Sequence, residues 1–302
     1  MRAAALTPFL SELTRSLAGE GSLVATVEES HINAEYSTKL VSKNKDNKFS
    51  SKKIFDGLST YPVDLEALIQ SQPDIILTTL PEPETLPLLK EELFTLFGRQ
   101  VFIHHHDPVR LDDVFLMFES LGKQLKVPDK GNTVSSKAKA QLMDWSNSFY
   151  DRMKNKKVTL ISSIEPLSLY ARWVPDMIKL ASGIPQIVSG LREDPNVSWG
   201  EIVKFNPDVI IFAPRTLEFS ETLKIFPKLE KIEGWDNIYA VKRGDVFFAD
   251  GQKFFQQPTT RIIQSMAVLV SCMAGFESGY ITERDCMYRL RYLELHRHKF
   301  LY

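Results

Sequence analysis

Apolar and polar positions fall into two alternating textures along the first hundred residues: short continuous apolar runs, and longer segments with helical spacing. "RAAALTP" is strand-like, and "FLSELTRSLAGEG" repeats its apolar residues at Phe9, Leu10, Leu13 and Leu17 before stopping at glycines. "LVATVEES" is a second strand, and the polar segment 42–53 is a loop. "DLEALIQSQ" predicts a helix closed by Pro73, "DIILTTL" a buried strand, "PETLPLLKEELFTLFG" a helix and "RQVFIHHH" a strand. Strands that are apolar throughout, each followed by a helix, predict parallel βα units covered on both faces.

Residues 110–156 break this rhythm. "LDDVFLMFESLGKQL", a Val127-Pro128 interruption and "NTVSSKAKAQLMDWSNSFYDRMKNK" predict helix with no strand, the second part placing Val134, Leu142, Trp145 and Phe149 near one face. Alternation then resumes. "KKVTLISS" predicts a strand, "RWVPDMIKLASG" a helix ended by Gly183, "SWGEIVKF" a helix and "DVIIFAP" a strand. "LEFSETLKIFPKLE" predicts one helix, "DVFFAD" a strand and "TTRIIQSMAVLVSCMAGF" a helix. One phrase occurs twice: "QPDIILTTLP" from Gln72 and "NPDVIIFAPR" from Asn206. The two copies occupy matching places in two α/β lobes. The expected organisation is an N-terminal α/β lobe at 1–109, a helical linker at 110–156, and a C-terminal α/β lobe with a helical tail at 157–302. Two Rossmann-like lobes with parallel sheets, joined by a long helix, imply a ligand cleft between them.

Composition narrows the function classes. The 302 residues are 43% hydrophobic and 25% charged, which is a globular balance. Lys and Arg number 37 against 38 Asp and Glu, a net charge of −1, so bulk charge gives no reason to expect nucleic acid or an anionic membrane. Cys272 and Cys286 lie in no zinc-ligand spacing; they read as reduced thiols, or as one disulfide in an oxidising compartment. The start lacks the apolar run of a secretory leader, and no segment reaches the ~20 apolar residues of a membrane span. As written the chain reads as cytoplasmic, or as periplasmic or surface-anchored if it begins after a removed leader.

Ligands of open α/β sheets bind at the C-terminal ends of the strands. Here those loops are Thr7-Pro8, Glu28 to His31, Thr79 to Glu84 and His104 to Asp107, then Ile164 to Trp173, Pro214 to Phe219 and Asp250 to Gln257. They contain no nucleophile elbow, Gly-rich phosphate loop, HExxH or activated cysteine. Glu165 and Asp250 are present without a spacing that pairs them for acid–base work. The loops are instead rich in aromatic residues: Tyr61, Tyr170, Trp173, Phe219, Phe254 and Phe255, a lining suited to a bulky ligand. Trp173 opens an amphipathic helix, so it either packs on the sheet or meets the ligand. Consecutive strand residues face opposite ways, so at most two of His104, His105 and His106 serve one ion, and no metal centre is assigned. Together with His31 they are candidate ligand or metal contacts, or a polar strand end. Asp74 and Asp208 read as turn residues.

"LTPFLSELTRSLAGEGSLVATVEESH", "LSTYPVDLEALIQSQPDIILT", "LYARWVPDMIKLASG", "VSWGEIVKFNPDVIIFAP" and "VFFADGQKFFQQPTTRII" resemble the substrate-binding proteins of cobalamin and iron-complex ABC importers. That is the helical-backbone metal-receptor group, of class III periplasmic-binding-protein type, and the likeness runs to about Gly275. Within the group, the chain resembles a cobalamin-binding-like branch without a signal peptide. The resemblance implies non-catalytic capture of a corrinoid or similar metal chelate, with no cofactor required. Carried over by position, Tyr61, Tyr170, Arg172, Trp173, Asp250, Gly251 and Phe254 match the family's ligand loops, and Glu165 and Arg215 in the same strand-end loops complete the candidate ligand contacts. Thr60, Thr79 and Asp194 stand near the places of the cobalamin binders' wall tryptophans. The resemblance also implies docking to an ABC permease through one glutamate per lobe. Glu66 matches the first, while Gly200 stands at the second with Glu201 beside it. The tail "MYRLRYLELHRHKFLY" lies outside the family pattern. The alternatives are a small-molecule enzyme using Glu165, the histidines or Asp250, and an interaction protein that has lost its ligand.

Overall fold

The computed structural model describes residues 1–26, 39–40, 63–79, 86–275 and 287–289. Two compact units emerge. Unit 1 comprises Met1–Asp107 with Leu116–Ser135, and unit 2 comprises Pro108–Phe115 with Ser136–Tyr302.

In unit 1 the chain runs through β1 (Ala3–Ala5), α1 (Pro8–Ala18), β2 (Leu23–Thr26), β3 (Lys39–Leu40), α2 (Leu65–Ser71), β4 (Ile75–Thr78), α3 (Leu86–Phe97) and β5 (Phe102–His105). The sheet order is β3-β2-β1-β4-β5 and every pairing is parallel. α1 opens with Pro8, whose missing N–H costs nothing in a first turn, and it buries the predicted stripe Phe9, Leu10, Leu13 and Leu17. β1 and β4 are buried at every position, as strands covered on both faces must be. The core gathers Leu6, Leu68, Ile76, Leu93, Phe97 and Ile103.

Two long helices follow, α4 (Leu111–Gln124) and α5 (Pro128–Ser148), then the short α6 (Tyr150–Met153). The first two touch backbone to backbone: a Cβ on Gly122 would lie 2.7 Å from the Cα of Gly131, so both positions need glycine for closeness of approach. Residues 108–115 join unit 2 through Asp176, whose carboxylate accepts two bonds from the Arg110 guanidinium and one from the Leu111 N–H.

Unit 2 continues with β6 (Lys157–Ile164), β7 (Leu167–Leu169), α7 (Val174–Leu180), β8 (Ile184–Pro185), α8 (Trp199–Phe205), β9 (Val209–Phe212), α9 (Phe219–Leu223) and α10 (Phe226–Leu229). α11 (Tyr239–Arg243), β10 (Val246–Ala249), α12 (Gly251–Phe254), α13 (Ile262–Ala274) and β11 (Met287–Arg289) complete it. The sheet order is β11-β10-β9-β6-β7, with β8 also on β6; β10, β9, β6 and β8 run parallel, while β7 and β11 are antiparallel additions. Its core centres on Phe212, Phe226, Trp235 and Phe248, with Phe212 and Phe248 stacked at 5.2 Å.

The α/β reading with parallel sheets is therefore correct, and four local expectations change. The segment read as a loop after β6 turns at the cis peptide Glu165–Pro166 into strand β7. "LEFSETLKIFPKLE" is two helices, because Pro227 sits in the first turn of α10 and supplies no amide to extend α9. The left-handed residue ending α7 is Ser182 (φ 62°), while Gly183 is required by packing: its Cβ would lie 2.6 Å from Met273 Cε. Part of the C-terminal tail, Met287–Arg289, forms β11 on the edge of β10.

The repeated phrase acquires a physical meaning. In each unit a seven-residue helix, α2 or α8, is N-capped by a side chain, Asp64 or Ser198, and closed by a left-handed residue, Gln72 (φ 46°) or Asn206 (φ 51°). The following aspartate grips the backbone at the start of the neighbouring central strand. Asp74 Oδ2 accepts from Arg2 N and Asp208 Oδ2 accepts from Lys157 N, each at 2.8 Å. In return the Asp74 and Asp208 amides donate to the Arg2 and Lys157 carbonyls at 2.8 Å. Asp74→Ala and Asp208→Ala are each expected to lower unfolding free energy by about 1 kcal/mol, read as a shift of the urea midpoint; an unchanged midpoint in both would remove the clamp from this account.

Candidate functional site

In unit 2 the loops at the strand ends are fastened by one network. Tyr170, just past β7, is 2% exposed; its hydroxyl donates to the Ala213 carbonyl at 2.7 Å, at the end of β9. Arg215, two residues further on, lies over the Tyr170 ring at 4.2 Å and makes a two-point bond to Asp194, Nε to Oδ2 at 2.8 Å and Nη2 to Oδ1 at 3.1 Å. Asp194 also accepts from the Ala171 amide at 2.8 Å. Burial alone would raise the Asp194 carboxyl, but the Arg215 hydrogen bonds and charge outweigh it and hold it below its ordinary value. Burial pushes the Tyr170 phenol upward, and the nearby Arg215 charge only partly offsets this, so it stays a neutral donor.

The end of β10 is fixed by contact. A Cβ on Gly251 would lie 2.0 Å from the Ala213 carbonyl oxygen, so the chain passes there only as glycine. Asp250 N-caps α12 by accepting from the Lys253 amide at 2.9 Å, which engages the carboxylate read above as a candidate acid or base. Trp173 and Phe254 are 4% and 6% exposed, so both rings belong to the packing beneath the loops. Arg172 is held in the left-handed region (φ 56°) and donates to the Pro108 carbonyl at 3.2 Å. Of the residues assigned to a ligand, Tyr170 and Arg215 are thus brought together, with Asp194, as a scaffold.

Glu165 has a different setting. At the β6–β7 turn it lines a cavity of about 620 Å³ with Ser163, Ile164, Pro214, Thr216 and Leu217 from the ends of β6 and β9. The remaining wall comprises Trp199 at the start of α8, then Glu221, Lys224, Ile225, Lys228, Leu229 and Ile232 around α9 and α10. Trp199 meets Trp235 edge-on at 6.0 Å. The volume is within the range of small-molecule sites, and the lining mixes an apolar surface with a few polar groups. Trp199, Lys224 and Lys228 were not among the sequence candidates, since they sit on helices whose pattern reads as ordinary amphipathic surface. Asp194 was noted only by position; its Arg215 partner lies across a chain separation that no local pattern shows.

In unit 1, His106 is 7% exposed, and its Nε2 lies 3.0 Å from Gln124 Oε1, so the ring carries its proton there and donates. Burial, with the neighbouring His104 and His105 charges, pulls its pKa down to about 4 against the opposing effect of the Gln124 bond. His104 is also lowered, by burial and then by the Lys90 charge. His105 is exposed, and among the described residues no three His, Cys, Asp or Glu side chains are placed to hold a metal ion. Glu66 is exposed at the second position of α2, and Gly200 occupies the matching position of α8. Glu201 is engaged in a capping box with Ser198. Cys272 is buried in α13, and burial raises its thiol. Tyr61, His31 and Cys286 lie outside the described residues.

Two outcomes follow from these partners. Because folded His106 resists protonation while the unfolded chain takes a proton near pH 6.5, stability should fall as pH drops from about 6.5 to about 4, by roughly 2–3 kcal/mol in total. His106→Gln should flatten that part of the curve of unfolding free energy against pH, and an unaltered slope would refute the assignment. Arg215→Met, which leaves Asp194 without its countercharge, should cost about 3 kcal/mol by denaturant titration.

The comparisons with known proteins agree with the fold. The family model described as "Periplasmic binding protein" matches residues 4–253. Among solved structures, the periplasmic vitamin B12 binding protein BtuF of Vibrio cholerae superposes with a TM-score of 0.66 at 17% identity, covering 91% of this chain and 98% of that one. An ABC transporter substrate-binding protein from Listeria monocytogenes EGD-e gives 0.65 at 18% identity, covering 90% and 98%. A periplasmic heme binding protein from Pseudomonas aeruginosa gives 0.63 at 17% identity, covering 92% and 94%. A search of the curated proteins found no match. Among the described residues no helix is long and apolar enough to cross a membrane. With the family model spanning most of its length, the chain belongs to the periplasmic binding protein family, whose members bind solutes and do not catalyse.

Proposed function

We propose that this protein captures a metal chelate of the corrinoid, haem or iron-complex class as the binding component of an ABC importer. The cavity of about 620 Å³ at the ends of β6 and β9 carries the reading: it lies where α/β sheets receive ligands, and its loops are already immobilised from below. Its Trp199 and Leu217 surfaces suit a flat apolar body, and Glu165 and Thr216 supply polar contacts. The names of the similar solved structures, which include vitamin B12 and heme binders, support the ligand class.

Binding here requires little rearrangement of unit 2. Tyr170, Arg215 and Asp194 fix the loops before any ligand arrives, which reduces the entropy lost on capture. For permease docking, exposed Glu66 offers a carboxylate, while Gly200 offers none at the corresponding turn of α8. The partner of unit 2 would therefore meet backbone and neighbouring side chains at that turn.

Titration of the protein with haemin, cobinamide and a ferric siderophore, followed by ligand absorbance and tryptophan fluorescence, tests the proposal. At least one chelate should bind at micromolar or tighter affinity, about −8 kcal/mol. Its quenching should fall sharply in Trp199→Phe, while absorbance still reports binding. Failure of all three chelates to bind would overturn the reading.

A further inference from the structure

The wall of the cavity formed by α9 and α10 carries two lysines, Lys224 and Lys228, four residues apart. The chain between them keeps helical dihedrals, with Lys224 at φ −70°, ψ −13° and Ile225 at φ −75°, ψ −20°. Both side chains therefore serve the same wall. Neither forms a salt bridge among the described residues. Like charges at this spacing repel each other.

The acidic groups of the same lining form no ion pair with them. Glu221 shares the lining, but its Oε2 accepts from the Glu218 amide at 3.2 Å, and the Glu218 side chain caps the α9 amides in return. Both carboxylates serve the start of α9. Glu165 alone remains as an acidic lining residue without such a bond, so two lysines and two glutamates line the cavity with no ion pair between them, and both ammonium groups are left for an incoming anion. Trp199, Leu217, Leu229 and Ile232 make the rest of the surface apolar.

We infer that the cavity selects a chelate with an apolar body and carboxylate arms, its arms meeting Lys224 and Lys228, over one whose arms are neutral amides. This inference rests on the binding reading given above and specifies its substrate class. Charge-assisted bonds from two ammonium groups on one wall favour a carboxylate. A neutral amide gains only an ordinary hydrogen bond from each. Glu165 acts with the opposite sign, repelling the same arms.

The test compares haemin, which carries two carboxylates, with haemin dimethyl ester and dicyanocobinamide, whose arms are neutral. Each is titrated into the full-length protein, Lys224→Gln/Lys228→Gln and Glu165→Gln, with circular dichroism verifying that the variants are folded. Haemin affinity should fall at least about tenfold in the double lysine variant and rise about twofold to fivefold in Glu165→Gln, both effects shrinking at high salt. The ester and the cobinamide should change by less than about twofold throughout. Equal affinity of wild-type protein for haemin and its ester, or haemin binding indifferent to the lysine variant, would overturn the inference while leaving chelate binding in place. Wild-type protein that binds none of the three would overturn the inference together with the reading beneath it.

Discussion

A carboxylate that grips the start of a neighbouring strand organises both units. Asp74 and Asp208 each stand one residue before a buried parallel strand, accept the amide of Arg2 or Lys157, and return their own amide to the same residue. Parallel strands joined by long crossovers have no tight turn to fix their register. The reciprocal bond supplies that fix, setting Ala3 opposite Ile75 and Val158 opposite Val209. With the N-terminal ends aligned, the C-terminal ends emerge along one edge. The strand-end loops share an edge because the paired strands run parallel.

On that edge unit 2 separates two kinds of charge. Arg215 and Asp194 are paired, partly buried and joined to the Tyr170 ring and the Ala171 amide, so their contribution is to hold loops in one arrangement. Breaking such a pair leaves an uncompensated charge, which is why it acts as a rivet. Lys224 and Lys228 are exposed, adjacent and without a carboxylate, an arrangement that adds nothing to the fold. The first pair holds the loops in place, while the two lysines stay in solvent beside the cavity.

Close approach is the second constraint on the site. Gly251 lies against the backbone of Ala213 and Pro214, and the Tyr170 hydroxyl reaches the same Ala213 carbonyl. The ends of β7, β9 and β10 therefore converge on one peptide. In unit 1 the corresponding economy is the contact of Gly122 with Gly131, where two helices meet without side chains between them. In both units glycine sets a distance between backbones and not merely a turn.

The sequence alone determined the alternation of helix and strand, the parallel sheets and the matching of the two Pro-Asp segments, because each depends on local periodicity and on turn chemistry within about ten residues. It also located the strand-end loops that carry Glu165, Tyr170, Arg215 and Asp250. It did not reveal that Tyr170 and Phe254 are buried, since an aromatic in a loop has the same pattern whether it faces solvent or protein, and for Trp173 it left packing and ligand contact both open. It likewise hid strand β7, whose edge pairing with β6 is a contact and not a periodicity. Only the tertiary structure decided which charges are paired. Asp194 finds Arg215 on a different loop, while Lys224 and Lys228 find no carboxylate, and that difference depends on distances set by the folded sheet.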